Sequence, residues 1–149
     1  MGQPSRLAWA ILLVAGIALV GAGAASVAVG LFNPALISSQ LPPDAAVDAP
    51  AVGGAAVALG VATALLGAVH GLTAFALRAR MGIAMTAAVV LASTMAILAL
   101  AFAVAAVVSI ASGSAPAIYM VPAAIGLVAG VIGYALVTAL VMRSRGQPI

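Results

Sequence analysis

The 149-residue chain is 66% hydrophobic and only 5% charged, where a soluble domain carries roughly a quarter of its residues charged, so a membrane protein is the class that fits. Its basic balance rests on five arginines against two aspartates, and each arginine stands at the edge of an apolar run, which removes nucleic acid as the reason for the charge. Cysteine is absent, which excludes disulfides, thiolate metal sites and thiol catalysis.

After a short polar start, Leu7 to Phe32 is continuously apolar, about 39 Å as a helix at ~1.5 Å per residue and long enough to span with tilt. Arg6 before an apolar core and the small residues Ala22-Gly23-Ala24 also match a signal peptide and its cleavage site. The run continues through Val27, Val29, Leu31 and Phe32, which favours a retained span. Trp9 suits an interfacial anchor.

Residues 33–52 hold Pro34, Pro42, Pro43 and Pro50 together with both acidic residues, Asp44 and Asp48. Proline at that density is expected to forbid a regular helix through the segment, which reads as a solvated loop. Two carboxylates in such a loop make a poor calcium site.

Gly53 to Leu77 predicts the second span and Ile83 to Ala111 the third. The link Arg78-Ala79-Arg80-Met81-Gly82 is too short to cross a bilayer and too charged to stay in lipid, so the two spans form an antiparallel hairpin. The third is longer than a bilayer needs and must tilt or protrude. A turn with Gly113 and Pro116 leads to the fourth span, 119–142, with Pro122 in its first turns and a basic tail carrying Arg143 and Arg145.

The fold class expected is therefore all-α, an integral membrane four-helix bundle of one domain over residues 1–149. Arg6, Arg78, Arg80, Arg143 and Arg145 fall on one side of this arrangement and Asp44 and Asp48 on the other. The positive-inside rule then puts both termini in the cytoplasm of a multi-pass protein of a plasma membrane, here a bacterial inner membrane, with the 33–52 loop outside.

Lipid removes the hydrophobic drive for helix association, so close backbone approach must hold the bundle. Candidate packing faces are Ala18, Ala22, Ser26 and Gly30 in the first span, and Gly53, Gly60, Gly67 and Gly71 in the second. Ala92, Ala96, Ala99, Ala103 and Ala106 supply the third, and Gly126, Gly130 and Gly133 the fourth. Gly67-x-x-x-Gly71 and Gly126-x-x-x-Gly130 match the small-xxx-small association pattern, serving the monomer's own packing or contact with another subunit.

His70 is the ionisable side chain placed inside a span, on the same helix side as Thr63 and Thr73. The expected role is a neutral, hydrogen-bonded residue between helices. The other readings are an axial haem ligand, a hydrogen bond to a quinone, or a step in a proton path, and each lacks its companion: a second histidine, or further carboxylates in the membrane. No cofactor is expected unless a partner subunit shares one. Ser93, Thr94, Thr86, Ser109 and Thr138 are expected to bond to carbonyls one turn back or across a helix pair. With no base and acid beside any of them, no catalytic residue and no enzymatic activity are expected. Tyr119 reads as an interfacial anchor, while Tyr134 lies deeper and needs a partner for its hydroxyl.

The function expected is a non-catalytic accessory or scaffold subunit of a larger membrane complex, energy-transducing or transporting, with other membrane subunits and lipids as partners and no nucleic acid. The alternatives are a small homo-oligomeric transporter or channel, and an electron-transfer subunit contributing His70. The four-span layout resembles that of claudins, tetraspanins and small multidrug exporters. The extracellular cysteines of the first two and the intramembrane glutamate of the last are missing, so nothing carries over.

Overall fold

The computed structural model describes residues 3–39, 48–113 and 117–145, with side chains for 6–39, 48–113 and 120–144. Asp44, Pro42 and Pro43, and the side chains of Tyr119 and Arg145, lie outside the described residues. The fold is all-α: α1 (Gln3–Phe32), α2 (Pro34–Ser38), α3 (Ala49–Arg78), α4 (Ala84–Ala111) and α5 (Ala117–Arg145), with no strand among the described residues. All but α2 are long and apolar enough to cross a membrane, and could span one as a bundle; the protein is a multi-pass membrane protein.

The helices overrun the apolar runs at their ends, for local reasons. The described parts of the proline-rich 33–52 segment carry helix at both edges. Pro34 opens the single turn α2, where its missing N–H would have had no partner, and Pro50 falls in the first turn of α3 for the same reason. The second span thus begins at Ala49 rather than Gly53. Asp48 caps it, its Oδ1 accepting the Ala51 N–H at 2.9 Å.

Asp48→Ala will loosen the first turn of α3 by about 1 kcal/mol, the usual worth of a side-chain N-cap. Amide exchange at residues 51–54 will quicken by about fivefold, while Asp48→Asn leaves it unchanged. In α5 the helix starts two residues before the predicted span, so Pro122 lies beyond the first turn and has no N–H to offer the Ile118 carbonyl.

The turns show two ways to stop a helix. After α4, Gly113 takes φ +68°. After α3 the left-handed position is held by Arg80 at φ 57°, with the Met81 N–H donating to the Ala76 carbonyl at 3.1 Å and the Arg80 N–H to Leu77 at 3.2 Å. That pair of bonds is a Schellman closure, whose left-handed residue is ordinarily glycine; a side chain there costs of order 1–2 kcal/mol.

Two compact units are present, Leu13–Leu72 on one hand and Met1–Leu12 with Thr73–Ile149 on the other, so α1 and α3 each contribute to both. The larger unit is built on α4 against α5. Its core sets Ala84, Ala88, Ala92, Ala99, Ala103 and Ala106 of α4 beside Tyr134, Val137 and Val141 of α5, with Ala8, Leu12, Ala74 and Leu77 from the helix ends. A floor of alanines lets larger side chains seat close to the neighbouring backbone, which is where van der Waals packing in lipid gains most. Ala96, expected in this stripe, is only half-buried.

Candidate functional site

In the Leu13–Leu72 unit, the contact between α1 and α3 is centred on glycine. Gly16, Gly23 and Gly30 on α1 and Gly53, Gly60 and Gly67 on α3 are all buried. They meet reciprocally: a Cβ built on Gly23 would stand 2.5 Å from the Gly60 carbonyl oxygen, and one on Gly60 would stand 2.7 Å from that of Gly23. Gly30 and Gly53 give 2.6 and 2.7 Å, and Gly16 and Gly67 give 2.9 and 2.7 Å.

No side chain fits such distances, so these six positions demand glycine for close approach. Each glycine instead turns its second α-hydrogen toward the facing carbonyl, the geometry of a weak Cα–H···O contact. The numbers run in opposite directions at a fixed spacing of seven, which makes the helices antiparallel and keeps them together over about 21 Å at ~1.5 Å per residue. A seven-residue repeat fits the shallow left-handed crossing of coiled coils.

The polar groups of this unit are satisfied along the same seam. Ser26 Oγ donates across to the Ala56 carbonyl at 2.9 Å, and Thr63 Oγ1 donates back to Leu59 at 2.8 Å. His70 is fully buried, with its Nδ1 donating to the Leu66 carbonyl at 2.8 Å, and its Cβ lies 3.2 Å from where a Cβ on Gly16 would be. Because a carbonyl only accepts, that bond puts a proton on Nδ1. Gly16 thus makes room for an imidazole as well as for a backbone.

The candidate packing residues separate into two groups. Gly60 and Gly67 lie in the seam, whereas Gly71 contributes its amide nitrogen near Gly16 and has open space at its own Cβ position. In α5 only Gly130 approaches a neighbour, the Ala99 Cβ at 3.9 Å, while Gly126 and Gly133 face open space. In α1 half of the expected face lies in the contact: Gly30 is buried against Gly53 and Ser26 bonds across to Ala56, whereas Ala18 and Ala22 are exposed and the buried line runs through Gly16, Gly23 and Gly30. A period of seven within α1, matched by the same period in α3, was the signal that would have found it.

The arginines sit at helix ends. Arg6 lies in an early turn of α1, Arg78 in the last turn of α3, Arg80 in the link and Arg143 near the end of α5, all with exposed side chains. Among the described residues, no group of three or more His, Cys, Asp or Glu is placed to hold a metal ion. Tyr134 and Thr138 stand one turn apart, the Thr138 hydroxyl donating to the Tyr134 carbonyl at 3.1 Å. Compared with known proteins, the chain matches no family model, and no curated protein or solved structure is similar to it.

Proposed function

We propose that the protein is a non-catalytic accessory or scaffold subunit of a larger membrane protein complex, in a plasma membrane of bacterial inner-membrane type with both termini cytoplasmic. The observation that supports it is how little of itself the chain covers. In the most apolar window of each spanning helix only 11–17% of residues are buried. An open apolar groove of about 500 Å³ runs along the α1–α3 pair, bounded by Val20, Ala24 and Phe32 on one side and Val61, Leu65 and Ala68 on the other. Gly126 and Gly133 add outward surface without side chains, into which another helix can settle closely.

The chemistry supports the same reading. His70 is buried with its Nδ1 bonded to its own helix, and the Ser26, Thr63 and Thr138 hydroxyls each donate to a carbonyl. Native-membrane isolation in mild detergent, with mass spectrometry and a visible spectrum of the same sample, tests the reading. Larger membrane subunits will co-purify in fixed ratio from a colourless preparation. A homo-oligomer alone would replace it with a transporter or channel, and a visible band lost in His70→Ala with an electron-transfer subunit.

A further inference from the structure

Three cationic side chains gather at one end of the larger unit without an acid among them. Arg6 and Trp9 of α1, Arg78 of α3 and Arg80 of the following link line an open cleft of about 500 Å³. The Arg78 guanidinium carbon lies 5.1 Å from the centroid of the Trp9 ring, within the range of a cation–π contact. Among the described residues the one acid is Asp48, and it caps the opposite end of α3.

Among the described residues, nothing built into the cleft balances this charge. The C-terminus of α3 supplies roughly half a negative charge, and the start of α4 just beyond the link offsets it with about as much positive. Arg80 moreover occupies the left-handed position where glycine would be free of strain. A charged side chain kept at a strained backbone position, beside two others of like sign, is an arrangement that an anion resolves.

We propose that this cleft binds the phosphodiester of an anionic phospholipid headgroup. Guanidinium forks match phosphate oxygens in pairs, which an ammonium does not. A tryptophan at the end of a spanning helix belongs at headgroup depth. Leu7 and Met81, next in sequence to cleft residues, and Ile83, three beyond Arg80, are exposed and offer apolar surface to acyl chains, which a free phosphate would not use.

Trp9 is the one tryptophan of the chain, so its fluorescence reports on this site alone. The full chain is reconstituted in phosphatidylcholine vesicles, and the relative affinity for phosphatidylglycerol is read from quenching by lipids brominated on their acyl chains. Phosphatidylglycerol will be preferred by about threefold or more. Arg78→Gln or Arg80→Gly will bring the ratio close to one, since each arginine near an anionic surface is worth about fivefold. Arg80→Gly relieves the backbone, so lost binding in that variant is not lost folding.

Arg143→Gln, outside the cleft, will keep the preference, and ~10 mM glycerol phosphate will not displace it. A ratio near one in the unaltered chain overturns the proposal, as does a preference that survives both cleft variants. Equal loss in Arg143→Gln would reduce it to general surface charge, and displacement by glycerol phosphate would assign the cleft to a soluble phosphate instead.

Discussion

Gly60→Leu will break the α1–α3 contact at a cost of about 3 kcal/mol, at the upper end of what overpacking a tight interior costs. The reason is what the new Cβ would meet: the Gly23 carbonyl oxygen at 2.7 Å and the Val27 amide nitrogen at 2.9 Å. Both are backbone, and neither can rotate away. Relief requires the helices to separate, and because each is stiff, separation at Gly60 also opens the pairs at Gly53 and Gly67.

Gly54→Leu, six positions earlier on the same helix, meets nothing within 4 Å and will change stability by less than about 0.5 kcal/mol. Reversible unfolding in mixed detergent micelles, followed by circular dichroism, compares the two. Equal effects would mean that the seam contributes nothing beyond helix propensity.

His70 gives the second large effect, and its size depends on the replacement. His70→Ala empties a fully buried volume next to Gly16 and will cost about 2–3 kcal/mol through lost contacts and the cavity left behind. His70→Leu restores most of the volume and will cost less than about 1.5 kcal/mol. The Nδ1 hydrogen bond goes to the Leu66 carbonyl, which already accepts a helical N–H from residue 70, so losing that bond orphans no backbone acceptor. The same unfolding measurement decides it. If His70→Leu proves as damaging as His70→Ala, polarity rather than volume holds the site.

The four long helices were legible in the sequence because runs such as Leu7–Phe32 exceed a bilayer's length and the arginines mark their ends. Their ends were less legible, since Pro34 and Pro50 read as breakers until their places in first turns are known. Asp48 three residues before Ala51 is a cap signal that the proline density concealed.

The seam itself was half visible. Gly53, Gly60 and Gly67 stand out in α3, but in α1 the glycines lie among alanines of similar size, and composition does not say which of them faces the partner. Only the matched period in both helices separates Gly16, Gly23 and Gly30 from Ala18 and Ala22. The arginine cleft was invisible for a different reason, because Arg6 and Arg80 are distant in sequence and only the fold brings Arg78 over Trp9.

The even spacing of the seam also works as a vernier. Sliding α1 past α3 by seven residues, about 10.5 Å at ~1.5 Å per residue, does not scramble the glycines but re-pairs two of the three couples, Gly23 with Gly53 and Gly16 with Gly60 in one direction. Intermediate slides set a glycine against a branched side chain and are blocked, so the allowed alignments are few and widely spaced. The native one is the alignment that uses all three couples. Its identity thus depends on the two end pairs, Gly30 with Gly53 and Gly16 with Gly67, more than their share of the contact would suggest. A side chain in place of any of these four glycines would block the native alignment and leave a pair that closes, shifted by seven residues, through two couples only.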